Sequence, residues 1–241
     1  MIFRRIKAHI EKENWFAVGI DFCIVVIGVF IGIQVANWNE AQQDRVSAKD
    51  YHARLVTDVE LSIERNQAQI AFGRQEVRQL DLILSALDEC QLRDEDEPVF
   101  AAGLYNMGKF SLPVMVMGTI DELNATGNFP LIGSPQLRRT ISETVREYQI
   151  KLAVDSQIAG RSIPSINYVR TRVRFLLEDH QPRLPSMDPD KVIYDFEALC
   201  VDESFIHAVA TVRELTLIII NLNQQMIEYQ TELLAELGGS D

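Results

Sequence analysis

Residues 16–36 read FAVGIDFCIVVIGVFIGIQVA. A helix needs about 20 mostly apolar residues to cross a bilayer core of roughly 30 Å. This stretch has that length, and its polar interruptions, Asp21 and Gln34, lie near its two ends. Read as a transmembrane helix, it divides the chain into a head at 1–15, a span at 16–36 and a domain at 37–241. A cleaved signal peptide is the competing reading, but its apolar core runs only about 7–15 residues and closes on small residues. Cleavage after Ala36 would set Gln34 three positions back from the cut, and residues 37–40, NWNE, follow with no helix breaker. A retained anchor is therefore the expectation.

Charge orients the span. The chain carries a net charge of −12, yet Arg4, Arg5, Lys7 and Lys12 precede the span and residues 37–44 contain no base. Short basic flanks stay cytoplasmic, so the N-terminus is expected inside and the main domain outside, in the periplasm of a Gram-negative cell. The acidity of that domain argues against a nucleic-acid partner, which needs a basic face, and against its lying flat on anionic lipid. With 47% hydrophobic residues, the domain has enough apolar side chains for a packed core.

Ile2, Phe3, Ile6 and Ile10 fall on one side of the head at helical spacing, with bases on the other. That pattern fits a juxtamembrane anchor helix, or a docking site for a cytoplasmic partner. Trp15 and Trp38 bracket the span as interfacial anchors do. Gly28 and Gly32, four residues apart, share one helix face and would let a second helix approach closely. Asp21 has two readings. An acid within a span is a candidate for ion transfer or for pairing with a partner's base. It also lies only five residues from Phe16, about 7–8 Å along the axis, within reach of interfacial water.

Beyond the span the pattern is helical throughout. Val56, Val59, Ile63, Asn66, Ile70, Gly73, Val77, Leu80, Leu84 and Leu87 alternate three and four apart, a coiled-coil-like seam interrupted by Asn66 and Gly73. A polar Asn in such a seam often sets register and partner number. The acidic run 94–97 reads as a solvated turn before a short helix at 98–107, with Pro98 in its first turn. Residues 112–117 are apolar and extended in expectation. Thr119 to Glu122 has the form of a capping box opening a short helix. Ser134-Pro135 is a helix start, and Leu137, Ile141, Val145, Tyr148 and Leu152 give that helix its apolar face. Gly160 to Pro164 predicts a break or kink, and a helical pattern interleaved with Arg170, Arg172 and Arg174 follows. A Pro-rich turn is expected at 180–189, then a short helix from Asp188-Pro189 to about Leu199. A last helix runs from near Asp202 to Gly238-Gly239. The expected fold is all-α: a single transmembrane helix continuing into a bundle of long antiparallel helices.

His9, His52, His180 and His207 are far apart, with no metal-ligand spacing, no phosphate-cradling loop and no nucleophile elbow. No catalytic, cofactor-binding or metal-binding residue is assigned, and no enzymatic activity or cofactor is expected. Cys23 lies in the span. Cys90 and Cys200 lie beyond it, each at a helix end, and either form a disulfide in an oxidising compartment or remain two buried thiols.

The segment 25–40, VVIGVFIGIQVANWNE, resembles a family of bacterial single-span membrane proteins of unknown function. These have a basic head, a Val-Ile-Gly-rich span closed by Gln-x-x-Asn-Trp-Asn-Glu, and an acid near the start of the span, which Asp21 matches. Thr119 to Leu123, Gly127, Leu131-Ile132 and Leu137-Arg138 are similar to that family's mid-domain segment. The resemblance implies an anchor and a helical domain, and no activity. The expected role is an accessory, scaffold or sensor-like subunit in the bacterial inner membrane, contacting the bilayer and either its own copies or another membrane protein. An ion-driven stator-like subunit using Asp21, and a periplasmic ligand-sensing domain that signals through a partner, are the alternatives.

Overall fold

The computed structural model describes residues 15–109, 112–176 and 192–239. Among them the chain is almost wholly helical, in keeping with the all-α expectation. Its helices are α1 (Trp15–Glu89), α2 (Glu97–Asn106), α3 (Gly118–Thr126), α4 (Pro135–Arg172), α5 (Phe196–Cys200) and α6 (Glu203–Gly238), with a 3-10 turn at Phe129–Leu131. Two short strands, β1 (Arg174–Phe175) and β2 (Val192–Ile193), pair antiparallel, Arg174 opposite Ile193 and Phe175 opposite Val192. The expected amphipathic head at 1–14 lies outside the described residues. So do the Pro-rich turn at 180–189 and the helix start at Asp188-Pro189.

The chain divides into two compact units, residues 1–50 and 51–241. In the first, the apolar side chains of α1 from Phe22 to Val35 are all exposed. By length and composition two helices among the described residues can cross a membrane, α1 from Gly19 and α6, but none of the most apolar stretch of α1 is buried within the chain against 44% for α6. The apolarity of α6 is thus explained by packing, and that of α1 is not.

The second unit is built on three long helices. From Tyr51 onward α1 runs antiparallel to α6. His52 Nε2 lies 2.9 Å from the Leu237 carbonyl, Asn66 meets Gln230, Gly73 meets Ile220, and Asp81 pairs with Arg213. A Cβ at Gly73 would come within 2.9 Å of Ile220 Cγ1, so only glycine allows this approach. α6 is antiparallel to α4 as well. Lys151 Nζ sits 5.2 Å from the centre of the Tyr229 ring, and the Tyr168 hydroxyl donates to Asp202 at 2.9 Å.

Two large apolar clusters fill much of the bundle, and Ile158, Leu215 and Ile219 form a smaller third between α4 and α6. Leu80, Ile83, Leu87, Phe100, Phe205 and Val209 form one. Leu55, Val59, Leu123, Leu137, Met226 and Leu233 form the other. Burying such side chains contributes roughly 1.5–3 kcal/mol each. Ser62, Asn66, Glu76, Thr216 and Asn223 are also buried, along the stretches of α1 and α6 between these two clusters, and Gln230 is buried within the second. Of the expected seam, Val59, Asn66, Ile70, Gly73, Leu80 and Leu87 are buried, whereas Val56, Ile63, Val77 and Leu84 are only half-buried, and the buried face also takes in Leu55, Ser62, Glu76 and Ile83.

The polar residues hold a piece of non-helical chain. Residues 112–117, expected to be extended, form neither helix nor strand, and the backbone of Met117 already has helical angles (φ −100°, ψ −4°). Their backbone is bonded instead by side chains. The Val114 N–H donates to Asn66 Oδ1 (2.7 Å) and the Val116 N–H to Ser62 Oγ (2.9 Å). On either side, the Thr119 N–H donates to Asp58 Oδ2 (3.1 Å) and the Gly108 N–H to Glu76 Oε1 (2.9 Å). The Val114 carbonyl accepts from Asn66 Nδ2 (2.9 Å) and Gln230 Nε2 (2.8 Å). The match is geometric: two residues of extended chain advance about 6.6 Å, and four residues of helix about 6 Å. Alternate backbone N–H groups thus meet side chains spaced i, i+4 on α1.

Helix ends follow local chemistry. Ser134 Oγ accepts from the Leu137 N–H, and Pro135 occupies the first turn of α4. Asp202 caps α6 and Asp195 caps α5. Three expectations differ. Thr119 to Glu122 forms no capping box, because Asp58 from α1 takes the Thr119 N–H. α4 is not broken at Gly160 to Pro164 but runs on to Arg172 with Pro164 inside it. Proline there deprives the Gly160 carbonyl of its helical donor, and because both residues are exposed, water can take its place. The short helix after the Pro-rich region begins at Phe196, and Val192–Ile193 is strand.

Replacing Asn66 by Ala would leave the Val114 N–H without an acceptor in a buried site. An orphaned buried donor costs about 1–3 kcal/mol. Asn66→Ala is therefore expected to lower the unfolding free energy by about 2–3 kcal/mol in urea titrations, with α-helical circular dichroism retained before the transition.

Candidate functional site

The residues singled out in the span all lie in the first unit. Asp21, Gly28, Gly32 and Trp38 are exposed, and a Cβ at Gly28 or Gly32 would meet nothing within 4 Å. The backbone of Trp15 starts α1, while its side chain lies outside the described residues. Cys23 is a free, exposed thiol.

Cys90 and Cys200 are brought together as a disulfide, with Cα atoms 5.4 Å apart and 110 residues between them. Cys90 follows the last turn of α1 with φ +45°, and Cys200 closes α5. The bridge ties these two helix ends beside the first apolar cluster, against which Cys200 packs. Nearby, the Arg172 Nε donates to Asp202 Oδ2 (2.8 Å), and the Tyr168 hydroxyl donates to the same carboxylate. Burial works against the charge on Asp202, but the bonds from Arg172, the Phe205 N–H and Tyr168 outweigh it and hold its pKa below the usual carboxylate range.

The most unusual chemistry in the second unit is the buried carboxyl of Glu76. It is 1% exposed. Its Oε1 accepts from the Gly108 N–H, and its Oε2 has no hydrogen-bond partner among the described residues. Beside it lies a cavity of about 10 Å³, room for one water molecule. Gln69, Glu76, Thr216 and Asn223 supply its polar lining, and Gln69 Oε1 is likewise a buried acceptor with no hydrogen-bond donor among the described residues. Burial pushes the Glu76 pKa up to about 7, against the opposing pull of the Gly108 N–H and the Lys109 charge.

Sequence reasoning missed Glu76. It lies three residues after Gly73 and four before Leu80, on the buried stripe of α1, and a glutamate at such a position is the available signal. Lys151 was missed in the same way. It is buried within α4, 3.8 Å from Glu147 and over the Tyr229 ring. Asn66, read as a residue that sets register and partner number, bonds Val114 and Gln230 of its own chain. Among the described residues no group of three or more His, Cys, Asp and Glu side chains is arranged to hold a metal ion.

Comparison with protein-family models, curated proteins and solved structures gave no match.

Closing a loop of this length by a disulfide stabilises a fold by about 2–5 kcal/mol. Reduction, or a Cys90→Ser and Cys200→Ser double substitution, is expected to lower the urea midpoint by a corresponding amount. The reductant should have no further effect on the double variant.

Proposed function

We propose that this chain is a membrane-anchored helical interaction protein, acting as an accessory, scaffold or sensor-like subunit of a complex in a bacterial inner membrane. The observation that carries this reading is the exposed apolar surface of α1 between Phe22 and Val35. An uninterrupted apolar surface of this kind marks a lipid or protein contact. Gly28 and Gly32 lie on it with open space at their Cβ positions, which supports close approach by a second helix, from another copy or another membrane protein.

The disulfide between Cys90 and Cys200 supports an oxidising compartment for the second unit, since such bridges persist outside the cytosol. Together with the bases at Arg4, Arg5, Lys7 and Lys12, it favours an N-terminus inside and a periplasmic or other extracytoplasmic main domain. The second unit contributes a helical surface rather than a reaction centre in this reading.

The test is purification from native membranes in mild detergent, followed by light scattering and mass spectrometry. The expected result is a particle larger than one chain, either a homo-oligomer or a stoichiometric complex with another membrane protein. A monodisperse monomer that captures no partner overturns the proposal.

A further inference from the structure

We propose that Glu76 is a proton-binding site whose Oε2 carries a proton in the folded chain, and that loss of this proton as pH rises destabilises the fold by leaving a carboxylate buried between α1 and α6. The inference stands on the geometry of the second unit and does not depend on the membrane-complex reading.

Gln69 and Glu76 both line one small cavity, together with Thr216 and Asn223, and neither Glu76 Oε2 nor Gln69 Oε1 has a hydrogen-bond donor among the described residues. Gln69 and Glu76 are seven residues apart on α1, so their side chains leave the same face. Two acceptors do not satisfy each other, and an ionised carboxylate with a single hydrogen bond is costly to bury. A proton on Oε2 resolves both problems. The carboxyl becomes neutral, Oε1 keeps the Gly108 N–H, and Oε2–H becomes a donor to Gln69 Oε1, directly or through the one water the cavity holds. On release, the O–H bond breaks, the electron pair stays on the carboxylate and the proton passes to solvent. A hard divalent cation is a poorer occupant, because such ions take six or more oxygen ligands and the cavity has room for one water.

The groups around Glu76 explain why this proton is held near neutrality. On α1 the cavity is lined by Gln69, Phe72 and Gly73, and on α6 by Thr216, Ile219, Ile220 and Asn223, none of them charged. From α4, Ile166 closes over Gly108, where a Cβ would come against its side chain. After α2 stands Lys109, whose charge acts on Glu76. Its Nζ lies 3.4 Å from the centre of the Tyr105 ring and donates to Asn106 Oδ1. Lys109 favours the ionised carboxylate but does not overcome burial, which leaves the Glu76 pKa at about 7, against 4.5 for an ordinary glutamate.

The sign follows by linkage. The folded chain binds this proton more tightly than the unfolded chain, so the contribution of Glu76 is most favourable below pH 4.5. It falls as pH rises from 4.5 through about 7, and the penalty is complete above that.

The experiment is urea unfolding of the full chain in detergent micelles at pH 5 and pH 8, for wild type and Glu76→Gln. Glutamine keeps the shape, the acceptor for Gly108 and a donor for Gln69, but does not titrate. The folding constant of wild type relative to Glu76→Gln should fall on the order of 50-fold between the two pH values. Infrared titration of the chain carrying Asp21→Asn, which removes the carboxyl of the span, supplies a second reading that needs no Glu76 variant. A protonated carboxyl band should persist above pH 6 and disappear around pH 7. An equal pH dependence in wild type and Glu76→Gln, or no such band, overturns the proposal. So does a wild-type stability shift reproduced at fixed pH by sodium or calcium, which would make the cavity a cation site.

Discussion

A single helix face holds four backbone N–H groups between the end of α2 and the first turn of α3, two of them, at Val114 and Val116, in chain that is neither helix nor strand. Asp58, Ser62, Asn66 and Glu76 on α1 accept from Thr119, Val116, Val114 and Gly108. Buried backbone donors must be paired, and an extended segment inside a helical bundle has no neighbouring strand to pair with. The side-chain ladder does that work, and the rest of the second unit is arranged around it. It fixes where the chain leaves α2 and where α3 begins. It also puts Val114 within reach of Gln230, which links the ladder to α6. The near-equality of two extended residues and one helical turn of four makes the register possible.

This arrangement explains why a polar stretch lies between two apolar clusters. An all-apolar interface of this length would tolerate sliding of α1 against α6. The bonds from Asn66 to Val114 and Gln230, and the close approach of Gly73 to Ile220, specify one alignment. The disulfide acts at the far end of α1, where it joins the helix to α5 beside a cluster that is already apolar. Stability is thus concentrated in the apolar clusters and the bridge, and specificity in the buried polar residues of α1 and α6. Glu76 is one of these residues and their one titratable member near neutrality.

Much of the helical framework was legible in the sequence. Ser134-Pro135 and Asp202 announced their helices through capping chemistry that acts within one turn. The apolar run at 16–36 needed only length and composition. Features that depend on distant residues were not legible. Thr119 to Glu122 had the form of a capping box, but the competing carboxylate of Asp58 lies 61 residues away in sequence. Pro164 was expected to break α4, yet exposure of Gly160 and Pro164 makes the missing bond inexpensive. The seam on α1 was displaced toward Val56 and Ile63 because Ser62 and Glu76 look like surface residues until the extended segment is in place beside them. Asn66 was recognised as unusual, and its partner was not, since Val114 is 48 residues further on.

The ladder is the claim on which this account rests, and amide hydrogen exchange tests it most directly. The Val114 and Val116 amides lie outside any helix or strand, and only side chains hold them. Exchange of the full chain in detergent should show both protected to a degree comparable with amides in the buried half of α1. Exchange of Val114 and Val116 at the rate of unprotected coil, with α1 and α6 still protected, would contradict it.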